Sequence, residues 1–71
     1  MPYKNHRLKI GRNIKKLRLA KGISQDRLSK LSDLSLNTIV NVECGVNPNP
    51  TIETLTRIAN ALDVSMDDLI K

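Results

Sequence analysis

Apolar residues recur along this chain at helical spacing. Ile10, Ile14 and Leu17 follow one another at intervals of four and three and form one stripe of a helix expected from Asn5 to Lys21. Leu28, Leu31 and Leu34, then Ile39 and Val42, place apolar faces on two shorter helices that can meet across a tight turn. Ile52, Leu55, Ile58, Ala59 and Leu62 give a fourth helix, and Met66, Leu69 and Ile70 a short fifth. No segment alternates as a convincing strand does, so the expected class is all-α with five helices.

The polar residues between these runs mark the boundaries. Ser24 and Ser35 are N-caps for helices expected over Gln25 to about Ser32 and over Leu36 to Cys44, because a hydroxyl can accept a free N–H of the first turn. Thr51 can cap the fourth helix, and Ser65 with Asp68 forms an S-x-x-D pattern that opens the fifth. Gly22 ends the first helix and Gly45 suits the left-handed position after the third, while Asp33 can tolerate a left-handed backbone in the turn. Pro48 and Pro50 make Val46 to Pro50 a stiff loop, since neither donates a backbone hydrogen bond. Ser24 to Gly45 thus has the pattern of a helix-turn-helix, whose second helix can enter a DNA groove.

Composition narrows the partner. Seventy-one residues suit a single domain over 1–71 with its core at about 10–70, near the lower size limit for an apolar core without staples. The one cysteine, Cys44, has no internal disulfide partner, and no Cys or His cluster suggests a metal or cofactor site, so a reducing cytoplasmic setting is expected. No apolar run approaches the roughly 18 residues of a membrane span. Net charge is +5, unevenly spread: residues 1–22 hold eight basic and no acidic residues, whereas residues 23–71 hold four basic and seven acidic. One Tyr and no Trp or Phe leave no aromatic platform for single-stranded bases, so double-stranded DNA fits better than RNA. No nucleophile–base pair or carboxylate constellation suggests an enzyme, and no small-molecule ligand is expected.

Taken together, the stretch IGRNIKKLRLAKGISQDRLSKLSDLSLNTIVNVECG, the proline-bearing loop and TIETLTRIANALDVSMDDLI resemble the phage repressor, Cro and XRE-type helix-turn-helix family over about residues 10–70. The resemblance rests most on Arg18, the KGISQ turn with Gln25, the Thr38-Ile39 pair, Glu43-x-Gly45 and the RIANALDVSMDDL tail. It implies a five-helix phage-repressor-like fold with helices 2 and 3 as the DNA-binding unit, and a homodimer on a two-fold operator.

The same resemblance makes the helix from Leu36 the recognition helix. Leu36, Asn37, Val40 and Asn41 are then the candidates for base contact, with Ile39 and Val42 turned to the core. An Asn amide can donate to and accept from adenine, and a Leu or Val methyl can pack on thymine, so an A·T-containing half-site is favoured. Gln25 matches a family position that holds the DNA backbone; Thr38, Asn47, Asn49, Arg12 and Lys16 are further phosphate candidates. Arg18 and Glu43 match positions that pair in the interior, as a structural ion pair. Val64, Met66, Leu69 and Ile70 are candidates for a dimer interface or, alternatively, for closing the monomer's own core.

The chain departs from the family at Ser29, Asp33, Cys44 and Val46, where Ala, Gly, Asn and a basic residue are common, and its third helix contains no Lys or Arg. Attraction would then come from the first helix, the loops and dimerisation. Cys44 is expected to be an inert helix-end thiol, His6 a solvated residue, and Leu8 and Leu19 either isolated exposed leucines or a partner patch. The expected function is a DNA-binding transcriptional regulator, acting as a repressor; an antitoxin of a toxin pair or a restriction-modification controller with a protein partner is the alternative reading.

Overall fold

The computed structural model describes residues 2–46 and 50–71, with side chains described from Lys9 onward. Within these residues the chain forms α1 (Pro2–Ala20), α2 (Gln25–Ser32), α3 (Leu36–Cys44), α4 (Ile52–Leu62) and α5 (Met66–Ile70), and no strand. This is the expected all-helical architecture. Asn47 and Asn49, and the side chains of His6 and Leu8, lie outside the described residues. The first helix begins three residues earlier than the apolar stripe indicates, with Pro2 at its first position, where a missing N–H breaks no helical bond.

The helix ends obey one local chemistry. Ser24, Ser35, Thr51 and Ser65 each have extended backbone, and each hydroxyl accepts the N–H of the residue three further on. Asp68 completes a reciprocal cap by accepting the Ser65 N–H at 3.2 Å. At the opposite ends, Gly22, Asp33, Gly45 and Asp63 all take the left-handed conformation, with φ of 71°, 57°, 75° and 57°. The N–H of the next residue then reaches back to a carbonyl of the last turn: Ile23 to Arg18, Leu34 to Ser29, Val46 to Asn41 and Val64 to Ala59, at 3.0–3.2 Å. Four helices therefore close with the same motif, whose following residue is apolar each time. Ile23, Leu34 and Val64 use that position to pack on the core, whereas Val46 is 68% exposed.

The core is assembled from Ile10, Ile14, Leu28, Ile39, Val42, Leu55, Ile58, Ala59, Leu62 and Leu69, and so draws on all five helices. Helix α1 packs on α3 and α5, while α2 packs on α3 and α4. Leu31 departs from the expected apolar interior, being 46% exposed. The inner side of α2 is instead Leu28 with Ser29 and Ser32, small residues that allow close packing. Their hydroxyls are satisfied by the Asp26 and Leu28 carbonyls at 2.6 and 2.7 Å.

Two contacts fix α1 against its neighbours. Gly11 faces the end of α3 so closely that a Cβ there would fall 2.5 Å from the Glu43 carbonyl oxygen and 2.6 Å from that of Val42. The Asn13 side-chain amide donates to the Leu69 carbonyl at 2.9 Å, tying α1 to α5.

Candidate nucleic-acid interface

Helix α3 divides its residues between two faces. At about 100° per residue, Leu36, Asn37, Val40 and Asn41 fall within an arc of about 140°, with Ile39 and Val42 on the other side and Glu43 at the edge of the arc, about 20° from Leu36. Burial follows that division. Leu36 and Asn37 are exposed and Val40 and Asn41 half-buried, whereas Ile39, Val42 and Glu43 are buried. The outer face thus carries two amides and two apolar side chains, with neither cation nor anion. Cys44 also lies exposed in that arc, beyond Asn41. The helix geometry, more than the sequence motif, brings it onto this face.

A buried polar cluster stands behind the helix. Arg18, 6% exposed, donates from Nε to Glu43 Oε2 at 2.7 Å and from Nη2 to Glu43 Oε1 at 3.2 Å. Its remaining terminal nitrogen donates to the Ile23 carbonyl at 2.8 Å. Planar guanidinium and carboxylate groups match in this two-bond geometry, which fixes orientation as well as distance. The Gln25 side-chain amide joins the cluster, its nitrogen donating to Glu43 Oε1 at 3.1 Å. Among the described residues no buried side-chain nitrogen or oxygen lacks a partner. The ends of α1 and α3 and the start of α2 are thereby joined through one carboxylate.

Gln25 is half-buried at the first position of α2, where the helix's leading N–H groups have no intrahelical acceptor. Thr38 sits in the first turn of α3, its N–H bonded to Ser35 Oγ and its hydroxyl 2.8 Å from that oxygen. Arg12 is exposed on the side of α1 opposite Ile10 and Ile14. Lys16 lies elsewhere, lining a shallow groove between α1 and α5 together with Asn13, Leu17, Asp68 and Lys71. That flank is not the one packed on α3, where Gly11 sits.

One cation that the sequence reading passed over stands out in the structure. Arg27 is exposed in the first turn of α2, two residues from Gln25, and has no acidic partner among the described residues. A basic residue there opposes the positive end of the helix dipole, and that mismatch was its signal in the sequence. Lys30 and Arg57, by contrast, are engaged by Asp26 at 3.2 Å and by Glu53 at 3.0 Å.

Of the dimer candidates, Ile70 is 40% exposed, and Val64 and Met66 are half-buried against the core. Leu69 is fully enclosed. Its side chain closes the monomer's own core and so cannot serve an interface. Among the described residues, no helix is long and apolar enough to cross a membrane and no group of acidic, His or Cys side chains is arranged to hold a metal.

Two capped helices joined by a left-handed turn, the second with a free outer face and a braced inner one, define a helix-turn-helix unit of the DNA-binding kind. A family model described as helix-turn-helix matches residues 14–69, and the chain belongs to the XRE-type helix-turn-helix family. It is 36% identical over 62 residues to the SPbeta prophage-derived HTH-type transcriptional regulator YonR of Bacillus subtilis, covering 87% of this chain and 56% of that protein. It is 31% identical over 61 residues to the HTH-type transcriptional regulator SinR of the same organism, covering 86% of this chain and 55% of SinR. The chain spans little more than half the length of these two relatives. Among solved structures it resembles the restriction-modification controller protein C.AhdI from Aeromonas hydrophila, with a TM-score of 0.84 and 35% identity, over 87% of this chain and 92% of that one.

Proposed function

We propose that this chain is a sequence-specific double-stranded DNA-binding transcriptional regulator that represses by occupying an inverted-repeat operator as a homodimer. The observation that carries this reading is the outer face of α3, where Leu36, Asn37, Val40 and Asn41 stand together beside an inner face locked by Ile39, Val42 and Glu43. An uncharged face of amides and methyl-bearing side chains suits base edges and thymine methyl groups better than phosphate. Gln25, Thr38 and Arg12 are assigned to phosphate, with Asn47 and Asn49 of the following loop. Lys16, on the α5 flank, contributes long-range attraction.

In the dimer, two copies of α3 are spaced about 34 Å apart, one turn of duplex, with Val64, Met66 and Ile70 as the remaining interface candidates. The activity is binding without catalysis, in the cytoplasm. Control of restriction-modification genes is the second reading, favoured by the similarity to C.AhdI over 92% of that protein. Selection from a random duplex library at low salt tests the proposal. Enrichment of a two-fold symmetric site supports it, and absence of any enriched site removes it.

A further inference from the structure

The Glu43 carboxylate does more than neutralise Arg18. Arg18 already occupies it with two hydrogen bonds, and Gln25 adds a third from an amide that is only half-buried. A carboxylate can accept but not donate, so it decides which way round that amide stands: nitrogen inward, towards Glu43 Oε1. The nitrogen carries a second hydrogen, directed away from the Glu43 bond, and this hydrogen has no acceptor among the described residues. A free Gln side chain spreads over many rotamers, and binding must remove that freedom. Here it is removed before binding.

We propose that Glu43 is a positioning residue for the phosphate contact at the start of α2, holding the Gln25 amide so that its second N–H is presented to the DNA backbone. The inference rests on the DNA-binding reading above and adds a dependency to it. Gln25 acts on phosphate only while Glu43 holds it, and Arg18, pinned in turn by the Ile23 carbonyl, keeps Glu43 in place. The contact on α2 and the setting of α3 therefore share one support.

A double-mutant cycle on binding to a fluorescent generic duplex at low salt tests this, with melting temperature and helix content recorded for every variant. Gln25→Ala weakens binding about tenfold in the native background, the worth of one charge-assisted hydrogen bond. Glu43→Asp keeps a negative charge behind α3 but draws the carboxylate back by a methylene from both Arg18 and Gln25, so the recorded melting temperature reports the cost at Arg18. In that background Gln25→Ala changes affinity by less than about twofold, the range of additivity error. Equal losses in both backgrounds overturn the proposal. Failure of the native chain to bind the duplex at all removes the DNA-binding reading and this one with it, which separates the two kinds of failure. Should Glu43→Asp not fold, the native protein answers by nuclear magnetic resonance. The two Gln25 side-chain hydrogens exchange with water at different rates, and DNA addition moves the faster one; equal rates overturn the assignment.

Discussion

Glu43 accepts from Arg18 twice and from Gln25 once, so its removal strands a buried guanidinium and frees an amide. Losing one member of such a buried pair destabilises by about 3–5 kcal/mol, whereas replacing both by apolar residues of similar volume costs far less. Glu43→Leu alone is therefore expected to lower stability by several kcal/mol, and the double variant Arg18→Met/Glu43→Leu to recover most of it, as measured by urea denaturation. A double variant no more stable than the single one contradicts that view of the pair. Arg18, Glu43 and Gln25 could all be singled out from the sequence, because charged and amide residues at family-matching positions stand out. The resemblance also paired Arg18 with Glu43, but the entry of Gln25 into the same cluster was not legible, since sequence separation says nothing about three helix ends meeting. Leu31 shows the opposite difficulty: its spacing from Leu28 suits a buried stripe, yet Ser29 and Ser32 take the inner face because α2 packs closely on its neighbours.

At the scale of elements, the boundaries were the most legible part of the fold. Ser24, Ser35, Thr51 and the Ser65–Asp68 pair cap as their chemistry requires, and Gly22, Asp33 and Gly45 supply left-handed closures. Asp63 closes α4 in the same conformation, at φ 57°. Glycine relaxes that backbone, so Asp63→Gly is expected to leave stability unchanged or raise it by up to about 1 kcal/mol in thermal unfolding. Gly11 carries the reverse expectation. By helix propensity alone, Gly11→Ala should stabilise α1 by about 1 kcal/mol. A Cβ between the Val42 and Glu43 carbonyls forces α1 away from α3, and overpacking of this kind costs about 1–3 kcal/mol, so the net effect is neutral to destabilising. A clear gain in melting temperature for Gly11→Ala contradicts the close approach. A glycine inside a helix, beside the Ile10–Ile14 stripe, was the available signal for that contact.

Across the whole molecule, charge and shape are separated. The basic residues concentrate in α1, while the outer face of α3 is uncharged, so in the proposed complex attraction and base readout belong to different helices. Affinity should fall steeply with salt, each phosphate contact adding about one to the slope of log K against log salt concentration. Arg27→Gln, which removes the exposed cation beside Gln25 and with it a further phosphate contact, is expected to reduce that slope by about one, and Lys16→Gln, on the α5 flank, to reduce it by clearly less. Equal effects of the two would argue for a diffuse field over a docked α2. The central claim, that α3 reads bases through its outer face, is tested most directly by repeating the random-duplex selection with Asn37→Ala. The account predicts the same symmetric site and half-site spacing, with the preference lost at one position in each half. An unchanged preference at every position would contradict it.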